Sequence, residues 1–363
     1  PLTIFLEQAP INMKLSANST LIITNSCRQP QVIRQGLTQA QLACLDLYPS
    51  EAYYYKQMEN LDLSSYDNWE PIGSSTLELH FYGIYDGNNK KISNATISYP
   101  NVDYVGLFSY TDRSYNSNTS IKNLTLEDFT VNGKSGVGAL AGYAFRCELN
   151  NISVIDSSIT GDNRVGGIAG FAVSNYSKVL NVTTENVNVT GRNDVGGLVG
   201  YTTAGSISKC FVKDTTVKAY NFGVGGITAA LFSQAQLDSC YVKSSNISFT
   251  VDASSDNHTL GGLVGSNTAT ITNCYMYNST VSGKTNYGAL IGSNEESGTI
   301  TNCFISNNYS RLIDNNANTT PLTYCFYNVN DLATFNSKTW SAGAWSNFNT
   351  TSFPPQLTEL PEP

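Results

Sequence analysis

One phrase recurs seven times between Val105 and Gly292. It reads VGLF at Val105, VGAL at Val137, VGGIAG at Val165, VGGLVG at Val195, VGGITA at Val224, LGGLVG at Leu260 and YGALIG at Tyr287. Successive starts lie 32, 28, 30, 29, 36 and 27 residues apart. A period of about 30 residues without a long helical segment means stacked units, each too small to bury its own apolar face. The glycines that punctuate the period are Gly106, Gly138, Gly166, Gly167, Gly196, Gly197, Gly225, Gly226, Gly261, Gly262 and Gly288. Their pairing predicts close backbone approach or turns with positive φ.

Residues 195–224 serve as the type unit. VGGLVG reads as a short strand with Val195, Leu198 and Val199 as apolar contacts. ISKCFV reads as a second strand through Ile207, Cys210 and Val212, and DTTVKA as a third around Val217. The second strand returns as IKNLTL at Ile121, LNNISV at Leu149, LNVTTE at Leu180, LDSCYV at Leu237, ITNCYM at Ile271 and ITNCFI at Ile300. Three short strands broken by turns in about 30 residues suit one coil, not a flat sheet. A propeller blade needs a longer unit, and leucine-rich repeats carry another consensus. The fold class expected is all-β: a right-handed parallel β-helix, or β-solenoid, with a short N-terminal capping helix.

The expected organisation has four parts: a strand-rich arm or docking segment over 1–36, a cap over 37–60, the β-helix over 61–330, and an aromatic cap and tail over 331–363. LTQAQLACLDLY, from Leu37 to Tyr48, is the best helical stretch and suits a cover for the open first rung. Asp86–Gly87 reads as the turn between the first two full strands. VDASSDNHT, before Leu260, reads as an outward loop insertion. Trp340, Trp345, Phe348 and Phe353 read as a plug for the last rung.

Only 13% of residues are charged, and the net charge is -8. Basic residues are scattered singly, which excludes the Lys/Arg stripe a nucleic-acid partner requires. No apolar run is long enough for a transmembrane segment. No secretory leader is visible, and a chain beginning at Pro1 is what removal of one would leave. Fourteen Asn-x-Ser/Thr triplets, including Asn123, Asn151, Asn181, Asn246, Asn278 and Asn318, fit an extracellular chain, although Asn-, Ser- and Thr-rich sequence also makes them by chance.

Cys210, Cys240, Cys274 and Cys303 occupy one position of the second strand in four consecutive units. Stacking turns them into an inward ladder, for which reduced, buried thiols are the simpler reading. Cys27 and Cys44 are candidates for a disulfide across the cap. No C-x-x-C and no histidine cluster occurs, so neither a metal nor a cofactor is expected. A polysaccharide-cleaving solenoid would need converging charged side chains. The candidates are Asp162 with Arg164, in GDNRVGG, and Arg192 with Asp194, in GRNDVGG. The same residues also read as a polar binding edge, or as solvated turn tips with paired charges.

VGGLVG at 195–200 and LGGLVG at 260–265, with ITNCYM and STVSG beside them, resemble the GLUG motif. DLSSYDNWEPIG at 62–73, leading into FYGIYDGNNKKISNATI, resembles the segment that precedes such repeats. The resemblance covers about 40–330 and implies a secreted or cell-surface bacterial β-helix of adhesin-like kind. The motif also accompanies the catalytic part of IgA-cleaving metallopeptidases, but this sequence has no HExxH, so that activity is not implied. The function expected is a non-enzymatic extracellular scaffold or adhesin, self-associating into a fibre or matrix or holding a glycan or surface ligand. The alternative is a polysaccharide-binding or polysaccharide-degrading β-helix enzyme.

Overall fold

The computed structural model describes residues 31–33, 53–73, 80–112, 119–250, 258–283, 287–295, 297–306, 312–316, 322–341, 348–349 and 353–357. The expected capping helix, both Cys27 and Cys44, most of the arm, residues 251–257 of the insertion, Asn318 and Trp345 lie outside them. The described chain is an all-β, right-handed parallel β-solenoid with coils of about 30 residues. Three sheets run along it, of fifteen, nine and eight strands. One coil passes through Cys147–Ile155 in the first sheet, Ser158–Gly166 in the second and Ala169–Val173 in the third. The next passes through Lys178–Glu185, Asn188–Gly196 and Val199–Thr203. The coils pair in parallel and in register: Leu149 with Val179, Ile159 with Val189, Ala169 with Val199. The first sheet continues through Tyr53–Gln57 to Gln31–Ile33, inside the stretches assigned to the cap and the arm.

The interior is made of apolar columns, one residue per coil. Ile121, Leu149, Val179, Ile207, Leu237 and Ile271 line the first sheet; Val131, Ile159, Val189, Val217 and Ile247 line the second. All are buried. Because each side chain touches its counterparts above and below, burial is shared between coils and none is completed alone.

The local reading of the strands needs three corrections. VGGLVG is not one strand: Val195 and Gly196 end a second-sheet strand, Gly197 and Leu198 turn the corner, and Val199 opens a third-sheet strand. The ISKCFV-type strand also divides. It is continuous in Cys147–Ile155 and Lys178–Glu185, but becomes Ser206–Ser208 plus Phe211–Lys213, then Gln236–Asp238 plus Tyr241–Lys243. Asp86 and Gly87 lie within Gly83–Ser93, where the ladder register shifts, instead of joining two separate strands.

Spatial constraint, not backbone handedness, explains the corner glycines. A β-carbon on Gly197 would stand 2.1 Å from the carbonyl oxygen of Gly226, which fills the same position one coil on. Left-handed backbone falls instead on a column of other residues: Asn123, Asn151, Asn181, Lys209, Ser239, Asn273 and Asn302, all with φ between 52° and 55°. Asparagine tolerates that region best among residues with a side chain. Here its amides also link coils: Asn151 Nδ2 donates to Asn123 Oδ1 at 2.9 Å, and Asn302 Nδ2 to Asn273 Oδ1 at 3.2 Å.

The C-terminal aromatics do not simply plug an end. Phe211, Tyr241, Tyr275 and Phe304 form an outward column whose rings stack at 4.9, 4.9 and 4.8 Å, within 9° of parallel. The described residues 327–341 and 353–355 return along this flank. Phe335, from the short helix Leu332–Asn336, meets Phe304 at 5.6 Å; Trp340 and Phe353 meet it at 6.1 and 6.0 Å. The Tyr275 hydroxyl donates to the carbonyl of Pro355 at 2.5 Å. This strap leaves the four rings of the column almost wholly buried.

Candidate binding surface

A second aromatic row occupies the third sheet and has no such strap among the described residues. In three consecutive coils the residue following the glycine phrase is aromatic: Tyr143, Phe171 and Tyr201. Tyr110 precedes them in the same column. Ala144 and Ala172, the next residues along, are buried. Tyr110 and Tyr143 stack at 4.7 Å with a 4° interplanar angle; Tyr143 and Phe171 also lie 4.7 Å apart. His80 extends the row, stacked on Tyr110 at 4.0 Å, and Tyr201 continues it 5.9 Å beyond Phe171.

The corner before this sheet supplies the row's border. Tyr104 has φ 62°, and its ring meets Tyr143 edge-on at 5.1 Å and Phe171 at 5.9 Å. One coil on, Gly136 has φ 69°, and a β-carbon there would lie 2.6 Å from the Tyr104 ring, so only glycine fits. The following corner residue is Arg164, with φ 54°. Its guanidinium lies over Phe171 at 5.1 Å and over Tyr201 at 5.4 Å, within cation–π range. Next comes Asp194, whose Oδ2 is 3.9 Å from Arg164 Nε. That Nε is buried and has no hydrogen-bond partner. On the opposite border, Arg146 stands 4.8 Å above Phe145, which packs on Tyr143 at 6.0 Å.

Electrostatically the row is a site of protonated phenols. Burial raises the Tyr110 and Tyr143 hydroxyls above the ordinary tyrosine range. Burial also pushes the Asp194 carboxyl up to about 6, against the opposing pull of Arg164.

The structure puts an arginine, not a second carboxylate, opposite each acid of the expected polar edge. The pairing of Asn163 with Asn193 and Val165 with Val195 sets Asp162 beside Arg192 and Arg164 beside Asp194. Asp162 and Arg192 are exposed tips, whereas Arg164 and Asp194 are half-buried against the aromatic row. Between the two columns runs an amide ladder: Asn193 Nδ2 donates to Asn163 Oδ1, and Asn221 Nδ2 to Asn193 Oδ1, both at 2.6 Å. The aromatic row itself escaped the sequence reading. Its signal was present, an aromatic directly after the phrase in successive coils, but whether that position faces outward depends on the corner.

Cys210, Cys240, Cys274 and Cys303 stand one per coil in the interior, all free and fully buried. The backbone N–H of Cys210 donates to Cys240 Sγ, and that of Cys240 to Cys274 Sγ, each at 3.4 Å. Cys274 Sγ in turn donates to the carbonyl of Thr272 at 3.0 Å. Each thiol thus serves as a polar link at the point where the first-sheet strand divides. Burial pushes the Cys240 and Cys303 thiols well above the ordinary range. Among the described residues no group of three or more His, Cys, Asp or Glu side chains is arranged to hold a metal ion.

The chain carries the GLUG motif over residues 191–218. Its fold is similar to the crystal structure of a candidate immunoglobulin A1 protease from Bacteroides ovatus. That match has a TM-score of 0.54 and 20% identity, over 74% of this chain and 85% of that one. An IgA1 protease matches with a TM-score of 0.49 and 14% identity, over 73% of this chain but 21% of that one. At 20% identity the first of these likenesses is one of fold. No curated protein matches the chain. The motif supports an extracellular or cell-surface location. No helix among the described residues is long and apolar enough to cross a membrane.

Proposed function

We propose that this GLUG-bearing β-solenoid is a non-enzymatic extracellular scaffold that works by adhesion, presenting its outward columns to a surface ligand or to copies of itself. The observation that carries this reading is the third-sheet aromatic row, whose tyrosines are partly exposed around a buried Phe171. In-register stacking sets Tyr110, Tyr143, Phe171 and Tyr201 in one line across four coils, bordered by Tyr104 and Arg164. Tyrosine and arginine are the residues most enriched where surfaces contribute binding energy. A hydrolytic reading is weaker, because each acid here stands beside an arginine of a neighbouring coil, Asp162 beside Arg192 and Asp194 beside Arg164. The protease likeness is a likeness of fold at 20% identity and lends no support to peptidase activity.

The test is adhesion together with assembly state. Beads coated with the chain should bind saturably to polysaccharide- or cell-coated surfaces, and the chain should release no cleavage product from the material it binds. Negative-stain microscopy with light scattering then separates a monomeric adhesin from an end-to-end fibre. Release of sugar or peptide fragments would overturn the non-enzymatic reading.

A further inference from the structure

We propose that the aromatic row is the binding site for an anionic polysaccharide, a chain of uronic acid units, whose carboxylates are gripped by Arg146 and Arg164. The ligand assignment rests on the adhesive reading above and names its partner. Three observations carry it.

The first is where the arginines are. The arginines among the described residues are Arg146, Arg164 and Arg192; the first two border the aromatic row, whereas Arg192 is an exposed tip on a second-sheet strand. Arg146 directly follows the strand Ala141–Phe145. Arg164, with φ 54°, stands near the end of the second-sheet strand Ser158–Gly166, at the bend that leads into Ala169–Val173. Two planar, bidentate cations, Arg146 and Arg164, thus flank the row in a chain of net charge -8.

The second is how Arg164 is held. Its guanidinium carbon lies 5.1 and 5.4 Å from the Phe171 and Tyr201 ring centres, its buried Nε has no hydrogen-bond partner, and the Asp194 carboxylate stands 3.9 Å from that Nε, too long for a hydrogen bond. With Nε buried, the 41% of the Arg164 side chain that remains exposed leaves its terminal N–H groups to meet a carboxylate arriving from solvent. Arg146 over Phe145 repeats the arrangement across the row. The phenols between them remain protonated donors that can meet the same oxygens.

The third observation distinguishes charged from neutral sugar. Both faces of Tyr143 are occupied, one by Tyr110 and the other by Phe171, each at 4.7 Å. A neutral pyranose therefore has no open face to stack on at the centre of the row, and recognition falls to charge and hydroxyl donors. A peptide adding a strand would need an unpaired sheet edge, but these third-sheet strands are paired on both sides. Tyr110 and Tyr143 present hydroxyl donors one strand spacing of about 4.8 Å apart and Tyr201 a third beyond Phe171, which suits a polymer with recurring carboxylates.

The experiment is calorimetric titration of the whole chain with alginate oligomers, size-matched dextran oligomers and poly-glutamate, with reducing ends assayed in parallel. Alginate should bind saturably and dextran should not. The double variant R146Q/R164Q should weaken alginate binding about tenfold or more while circular dichroism is unchanged. R164K should not restore the affinity, because lysine lacks the stacked fork. Should the arginine variants fold poorly, Tyr110→Phe with Tyr143→Phe keeps the rings, removes the donors and should weaken binding about threefold or more. Equal alginate affinity in folded variant and wild type, equal binding of dextran, or no alginate binding would overturn the site and leave the scaffold reading standing. Poly-glutamate binding as tightly as alginate would overturn the polysaccharide assignment in favour of an acidic protein partner. Alginate bound and shortened would support the site while overturning the non-enzymatic reading.

Discussion

Asp194 holds a carboxyl group at a left-handed corner, largely withdrawn from water, with one arginine near it at 3.9 Å. Its proton affinity is raised from an ordinary 3.8 to about 6. A carboxyl with a raised value in the fold contributes stability while protonated. That contribution is complete below about pH 4 and is lost as pH rises through about 6. Asp194→Asn, which suits the same backbone region, should therefore be the more stable form at pH 8 by about 1–2 kcal/mol. Urea midpoints of the two proteins between pH 4 and pH 8 check this, and parallel curves would refute it. Gly197→Ala tests a different constraint, since its new methyl would meet a backbone carbonyl at 2.1 Å. The expected loss is about 2–4 kcal/mol by denaturant titration. The glycines were legible in the sequence as a repeat. Which of two reasons they served was not, because neighbouring backbone from another coil is invisible in a linear string. Asn151 and Asn181 show the converse: they read as glycosylation triplets, yet they hold left-handed corners in the fold.

At the scale of elements, the strap over the Phe211–Phe304 column is the clearest addition to what the repeat alone predicts. Trp340 packs against Phe326 at 5.0 Å, Phe335 at 5.0 Å and Phe304 at 6.1 Å, and its Nε1 donates to the carbonyl of Phe335 at 3.1 Å. Trp340→Ala should cost the strap about 2–3 kcal/mol. In a structure whose coils touch only their neighbours, that loss should stay local. Hydrogen exchange should rise over 322–341 and stay unchanged over 147–203; a uniform rise would contradict the local picture. The sequence displayed these aromatics plainly. Their target did not show, since Phe211, Tyr241, Tyr275 and Phe304 form a column only once the coils are in register.

For the molecule as a whole, the parallel stack was readable because one phrase returned at an almost constant interval, and a constant interval imposes register on everything between. Val137, Val165, Val195 and Val224 had to align once the coil closed, and they do. The candidate surface was less readable because it is a property of several coils at once: Arg164 comes to lie over Tyr201, thirty-seven positions onward, only through stacking. The interior thiols give a measurement at this scale. Cys147, Cys210, Cys240, Cys274 and Cys303 are buried and free. They should resist a thiol reagent such as DTNB in the native state and react only as coils separate in denaturant. Prompt reaction of these five in native buffer would mean that the stack opens far more readily than its packing implies.

The fold-back of the C-terminal segment has a mechanical consequence. Tension entering from that side meets the strap before it meets any coil. The strap lies along the flank and is held largely by ring contacts, so such a pull peels contacts away one after another. The coils behind it are joined by rows of parallel hydrogen bonds and give way only after the strap has lifted. Under such a load the strap lengthens first while the register of the Tyr110–Tyr201 row stays intact.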